Sequence, residues 1–145
     1  MKIQTKYHGE IEIQDKDILH FIKGIPGFLD EKRFIFLSLP DQTVFTIMQS
    51  VKTPELAFVL TSPFSFIGNY EFSLDEGTIE QLSIDNHEEI SVFAIVTVHD
   101  PFEKTTANLQ APIVLNEKNN RAKQVILNDT QYNIKHSLFE QPIKG

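Results

Sequence analysis

A chain of 145 residues, 41% hydrophobic and 10% aromatic, is long enough to bury a core of its own without help from a metal or a disulfide framework. It contains no cysteine, which excludes thiolate zinc sites, iron–sulfur clusters and a cysteine nucleophile. A net charge of −7 argues against direct binding to nucleic acid or to an anionic membrane surface, since both reward lysine and arginine.

Along the chain, short apolar or alternating runs are parted by turn residues, the pattern of a sheet-rich fold. Ile3, Thr5 and Tyr7 alternate with polar neighbours, and His8-Gly9 turns the chain into Ile11 and Ile13. This first segment holds no apolar run of about 7–15 residues, so it does not read as a signal peptide. No later stretch approaches the roughly 20 apolar residues of a membrane span, and a cytoplasmic protein is expected. Ile18 to Phe21 is a further apolar run. Gly24-Ile25-Pro26-Gly27 breaks it with a rigid turn, glycine supplying positive φ and proline fixing its own.

Arg33 to Leu39 and Thr43 to Val51 read as strands joined at Pro40-Asp41-Gln42, and Leu56 to Leu60 as the next. Phe66 to Phe72 is expected to add a short edge segment. Ser73 or Asp75 is placed to cap a short helix carrying Leu74, Ile79 and Leu82, with Glu76 in its first turn. Ile90 to His99, the most apolar stretch, reads as a central strand ended by Asp100-Pro101. Asn108 to Leu115 is a second core strand, in which Pro112 signals an edge or a bulge. Asn116 to Asn120 forms a hairpin-like loop into Lys123 to Leu127, and Tyr132 to Leu138 fits strand or helix. The expected fold is mainly β: one domain over residues 1–145, a small barrel-like curled sheet, antiparallel or mixed, with one or two short helices.

Residues that carry chemistry are absent from the pattern. The five histidines (His8, His20, His87, His99 and His136) include no pair at the i, i+4 spacing of a helical zinc motif. His99-Asp100 reads as a strand-ending turn. The sequence has no nucleophile elbow, no P-loop and no dinucleotide-binding glycine loop. Glu88 and Glu89, if in a strand, point to opposite faces and cannot act as a carboxylate pair. Asn128-Asp129-Thr130 matches a glycosylation acceptor that has no meaning without secretion. No catalytic residue, metal ligand, cofactor or small-molecule substrate is predicted.

Charge is distributed unevenly. Between Lys52 and Lys104 there is no lysine or arginine, while Glu55, Glu71, Asp75, Glu76, Glu80, Asp85, Glu88, Glu89, Asp100 and Glu103 all fall there. A solvated face that keeps the protein soluble explains this. A surface that steers a basic protein partner explains it as well, and makes Glu71, Asp75, Glu76, Asp85, Glu88 and Glu89 candidate contacts.

The segment Thr106-Ala107-Asn108-Leu109-Gln110-Ala111-Pro112-Ile113-Val114-Leu115-Asn116 is the most specific feature of the chain. Arg121-Ala122 and Gln124-Val125-Ile126-Leu127 follow it. With Gly24-Ile25-Pro26-Gly27-Phe28, and Gln49 through Pro54 to Leu56-Ala57-Phe58, the ordered set resembles the FliW family of flagellar assembly factors, from the first strand to about His136. The resemblance implies a cytosolic, non-catalytic, β-barrel-like protein with two protein partners. These are flagellin, the filament subunit, and CsrA, an RNA-binding translational repressor. Flagellin in excess would occupy the protein and leave CsrA free to repress flagellin translation; export of flagellin would release the protein to bind CsrA. Asn108 and Gln110 become candidate contacts on this reading, while their amides also suit backbone groups left unpaired where Pro112 interrupts a ladder. A dedicated flagellin chaperone and a small-ligand or sugar-binding β domain are the other classes the residues admit.

Overall fold

The structure, a computed structural model, describes residues 1–40, 42, 44–67, 70–127 and 132–138. The alternation at the start of the chain folds into a hairpin: β1 (Lys2–Gln4) pairs antiparallel with β2 (Glu10–Glu12), Ile3 opposite Ile11. The turn runs through Gly9 at φ +66°, the left-handed region that favours glycine.

The remaining strands are β3 (Leu19–Phe21), β4 (Arg33–Ser38), β5 (Phe45–Ser50), β6 (Ala57–Thr61), β7 (Ile90–Thr97), β8 (Thr106–Asn116), β9 (Arg121–Gln124) and β10 (His136–Ser137). From β3 to β9 each strand pairs antiparallel with the next along the sheet, and β9 then pairs parallel with β3. That last pairing closes a seven-stranded barrel of mixed type. One edge of β8 carries β7 along its length; the other carries β10 at Thr106–Ala107 and β9 at Ile113–Asn116. Closure leaves these strands few open edges.

Leu19, Phe21, Phe34, Met48, Leu60, Ile113, Leu115 and Ala122 are buried in one cluster, against which Phe36, Phe58, Phe93 and Ile95 pack. All seven strands of the ring contribute to it, which places it inside the barrel. Phe21 meets Phe34 edge to face at 5.3 Å, and Phe36 meets Phe93 at 5.1 Å. The side chains between them point outward and need separate covers. The β1–β2 hairpin sets Ile3 and Ile13 on Ile18 and Ile35, and Leu82 packs on Val114, Val125 and Leu127.

Pro112 marks a bulge, not a free edge. On β8 the register against β7 jumps from Ile113, opposite Phe93, to Asn108, opposite Ile95. The extra β8 residues between them kink the strand, and Asn108 Oδ1 accepts from the backbone N–H groups of Gln110 and Ala111 at 3.1 and 3.0 Å. The Asn108 amide therefore satisfies backbone groups at the kink, as one reading of the sequence had it.

Two expectations are corrected. No strand spans Phe66 to Phe72 among the described residues. Pro63–Ser65 forms a single 3₁₀ turn there, and Tyr70, Phe72 and Tyr132 pack as an aromatic cluster over the outer face of the sheet. Glu88 and Glu89 lie in a 3₁₀ turn, His87–Glu89, ahead of β7 and not within a strand. Of the last segment, Tyr132 to Leu138, only His136–Ser137 form a strand, β10; the residues before it are turn and irregular backbone. The Asn128-Asp129-Thr130 sequence and Asp41 of the predicted turn lie outside the described residues.

Candidate functional site

The acidic segment becomes a structural unit through one short helix, α1 (Glu76–Gln81), near where the sequence expected one, although Leu74 lies ahead of its N-cap, Leu82 is its C-cap and no side chain makes a capping hydrogen bond. Asp75 occupies its N-cap position with extended backbone. Thr78, one turn in, is fully buried; its hydroxyl accepts from Lys123 Nζ at 3.2 Å and hydrogen-bonds the Asp75 carboxyl. That hydrogen bond, with the nearby Lys123 charge adding to it, holds the exposed Asp75 carboxyl below its usual range.

The other end of α1 is tied to the β8–β9 hairpin by amides. Asn116, fully buried, donates from Nδ2 to the carbonyls of Leu82 at 2.9 Å and Ser83 at 3.2 Å. Asn119 Nδ2 reaches the same Leu82 carbonyl at 3.0 Å, and Arg121 Nη1 reaches Ser83 Oγ at 3.0 Å. Lys118 Nζ stands 3.9 Å from the carboxylates of both Asp85 and Glu89. Lys118, Arg121 and Lys123 thus face a stretch that has no basic residue of its own. The isolation of the carboxylates in sequence is partly cancelled in space.

The candidate contacts consequently fall into groups. Glu71 and Asp75 line one groove together with Phe72, Thr78, Lys123 and Ile126, a volume of roughly 630 Å³ between α1 and the end of the β9 strand. Glu71 and Phe72 also border a smaller cleft of roughly 320 Å³ floored by Tyr70, Val92 and Val114. Burial pushes the Tyr70 phenol well above its usual range, and its hydroxyl donates to the Leu109 carbonyl at 2.7 Å. Asp85 and Glu89 meet at Lys118, beyond the far end of α1. Glu76 and Glu88 are exposed and have no ion pair among the described residues. Asn108 and Gln110 sit half-buried on the β8 bulge, away from both carboxylate groups in sequence and element.

Lys123, Phe72 and Ile126 were not marked by the sequence. Ile126 is 54% exposed although it sits in an apolar run, and that exposure was invisible without the sheet. Gln49 carried a signal only as part of the family pattern. It is fully buried, its Nε2 lies 3.1–3.3 Å from the carbonyls of Ser50, Thr53, Pro54 and Leu56, which share its two N–H donors, and its Oε1 accepts from the Lys6 N–H at 2.9 Å. It folds the β5–β6 loop around a single amide. Among the described residues no three His, Asp or Glu side chains are grouped to hold a metal ion, and no helix is long and apolar enough to cross a membrane.

The family model described as "FliW protein" matches residues 2–138. The chain belongs to the FliW family. It is 55% identical over 143 residues to the flagellar assembly factor FliW of Geobacillus kaustophilus (strain HTA426), covering 99% of each chain. It is 51% identical over 138 residues to that of Bacillus subtilis (strain 168), covering 95% of this chain and 96% of the other. A crystal structure of the flagellar assembly factor FliW superposes with a TM-score of 0.94 at 54% identity, over 99% of this chain and all of that one. The mainly β barrel is the FliW fold.

Proposed function

We propose that this chain is a cytoplasmic, non-enzymatic flagellar assembly factor that binds flagellin and, when free of it, binds and antagonises CsrA. The observation that carries this reading is the match to the FliW family from residue 2 to residue 138. Mass action runs the switch: whichever partner is in excess sets the pool of free protein. Rising flagellin withdraws the protein from CsrA, and repression of flagellin translation resumes.

A standard interface takes about 800 Å² from each partner, roughly a tenth of a small protein's surface. Area alone therefore does not force the partners to exclude one another. Exclusion requires overlapping sites, or one site whose occupancy reshapes the other with reciprocal coupling. The test is to mix the three purified proteins well above both dissociation constants and measure the masses formed. Two binary complexes, with flagellin restoring RNA binding by CsrA, support the switch; a stable ternary species that leaves CsrA inhibited overturns it. Binding to flagellin with no effect on CsrA identifies a dedicated chaperone instead.

A further inference from the structure

We propose that the open edge of the chain at Gln124–Ile126 is a strand-addition site for an extended, basic peptide segment of a partner protein. On one side this stretch is fully engaged with β8: Gln124 lies opposite Ile113, Val125 N–H donates to the Pro112 carbonyl at 2.8 Å and Leu127 N–H to the Gln110 carbonyl at 2.8 Å. Successive peptide groups of a strand address opposite edges, so the N–H and C=O of Gln124 and Ile126 face away from β8. The neighbour on that side is β3, which pairs with β9 only at Arg121 and Ala122 before the chain turns off at Gly24. Among the described residues the backbone groups of Gln124 and Ile126 have no hydrogen-bond partner.

This edge opens onto the groove of roughly 630 Å³ whose opposite wall is Glu71, Phe72, Ser73 and Asp75. That wall is pinned: Tyr70 bonds to the Leu109 carbonyl, and Glu71 N–H donates to the Tyr132 hydroxyl at 3.0 Å. The slot is therefore preformed, which lowers the ordering cost of filling it. An extended segment fits because only a strand offers unspent backbone groups at a two-residue repeat of about 7 Å, matching the four on Gln124 and Ile126.

Charge selects the occupant. Glu71 is exposed and without an ion pair among the described residues, and Asp75 is a second carboxylate on the same wall. The cation on the groove, Lys123, donates to the Thr78 hydroxyl and its charge offsets Asp75, which leaves Glu71 as the uncompensated carboxylate of that wall. A lysine or arginine of the incoming segment meets Glu71, while its apolar neighbours cover Phe72 and the exposed Ile126. The site does not depend on which partner the FliW reading assigns, so it stands or falls separately from the switch.

The test uses the full chain, ¹⁵N-labelled, with the blocked peptide acetyl-Val-Lys-Val-Lys-Val-amide. The expected result is saturable shifts at Gln124 and Ile126 with their amides slowed in hydrogen exchange at least about fivefold. The Val-Glu-Val-Glu-Val sibling should bind at least about tenfold more weakly. The lysine peptide methylated on its alternate, edge-facing amides should not bind at all. Ile126→Pro removes the outward N–H together with the Ile126 side chain, at a position where an edge strand tolerates proline, and should abolish binding while Ile126→Val, which keeps the N–H and most of the apolar surface, should retain it; both should leave Tm nearly unchanged. Shifts confined to another surface, equal binding of the acidic or methylated peptide, or no shift at about 5 mM peptide overturns the proposal. So does protection of both amides before any peptide is added, whether the cover is the chain itself or, as a concentration-dependent dimer would reveal, a second copy.

Discussion

The side-chain amide of Asn116, at the end of β8, caps the carbonyl of Leu82 just past α1, 34 positions earlier in the chain. Because Asn116 is fully buried and Leu82 nearly so, water cannot replace this bond. Its Oδ1 accepts from Lys118 N–H at 3.0 Å, so one side chain shapes the hairpin and holds the helix. Asn116→Ala leaves the Leu82 carbonyl to Asn119 Nδ2 but takes the donor from the Ser83 carbonyl and the acceptor from the Lys118 N–H, and should cost about 1–3 kcal/mol. Asn86→Ala, which removes an exposed cap on the Glu88 N–H, should cost about 1 kcal/mol or less. Urea denaturation of the two variants checks the order.

Gly24 and Gly9 both have positive φ, at +70° and +66°, but their surroundings differ. A Cβ on Gly24 would lie 2.3 Å from the Leu29 carbonyl oxygen, whereas one on Gly9 meets nothing within 4 Å. Gly9→Ala should cost about 1 kcal/mol, the left-handed backbone penalty alone. Gly24→Ala adds a backbone clash that no rotamer relieves, and should cost at least about 2–3 kcal/mol. A ranking in which the two substitutions are equal in thermal melts would show that the loop yields freely.

Most strands were legible because barrel strands alternate. Phe34 and Phe36 face the interior cluster while Ile35 and Leu37 face the outer one, and that two-residue period shows in the letters. The helix was legible from Asp75 and Glu76. A barrel-like sheet was expected, but the strand pair that closes it was not legible, because closure rests on two residue pairs between β3 and β9, His20 with Arg121 and Phe21 with Ala122, about a hundred positions apart. The Phe66–Phe72 reading failed because aromatic residues favour strands and also favour outer-face clusters; packing of Tyr70 against Tyr132 at 4.5 Å decided the matter. The carboxylates were legible as a run, yet the lysines that meet some of them come from a hairpin some thirty or more positions later.

Asp75 predicts a small, signed pH dependence. Its folded carboxyl sits below the usual value of 3.8, held there first by the Thr78 hydrogen bond and next, among the lowering influences, by Lys123. A depressed folded value contributes stability that is present above the unfolded value and lost as pH falls through the folded one. Tm measured from pH 6 down to about pH 2.5 should therefore fall less steeply below about pH 4 in Asp75→Asn than in the parent chain. Thr78→Val should flatten the same acid limb, since it removes the hydroxyl that links Asp75 to Lys123. Parallel acid limbs for all three proteins would show that the hydrogen bond does not act on the titration.

Binding to CsrA, under the proposed switch, should report which carboxylates are electrostatically free. Charges at an interface rim act mainly on association rate and are screened over about 8 Å at physiological salt. Asp85 and Glu89 share Lys118 at 3.9 Å each, so part of their field is already answered within the chain. Glu71, Glu76 and Glu88 have no ion pair among the described residues. Reversal to lysine at any of these three should slow association several-fold at low salt, with the difference shrinking as salt rises. Reversal at Asp85 should have a smaller effect on the rate, because Lys118 beside it already offsets part of its attraction for a basic partner. Stopped-flow association at two ionic strengths separates the cases. Equal slowing at all four positions would mean that only net charge matters; no slowing at Glu71, Glu76 and Glu88 would place the CsrA contact on another face of the barrel, away from α1.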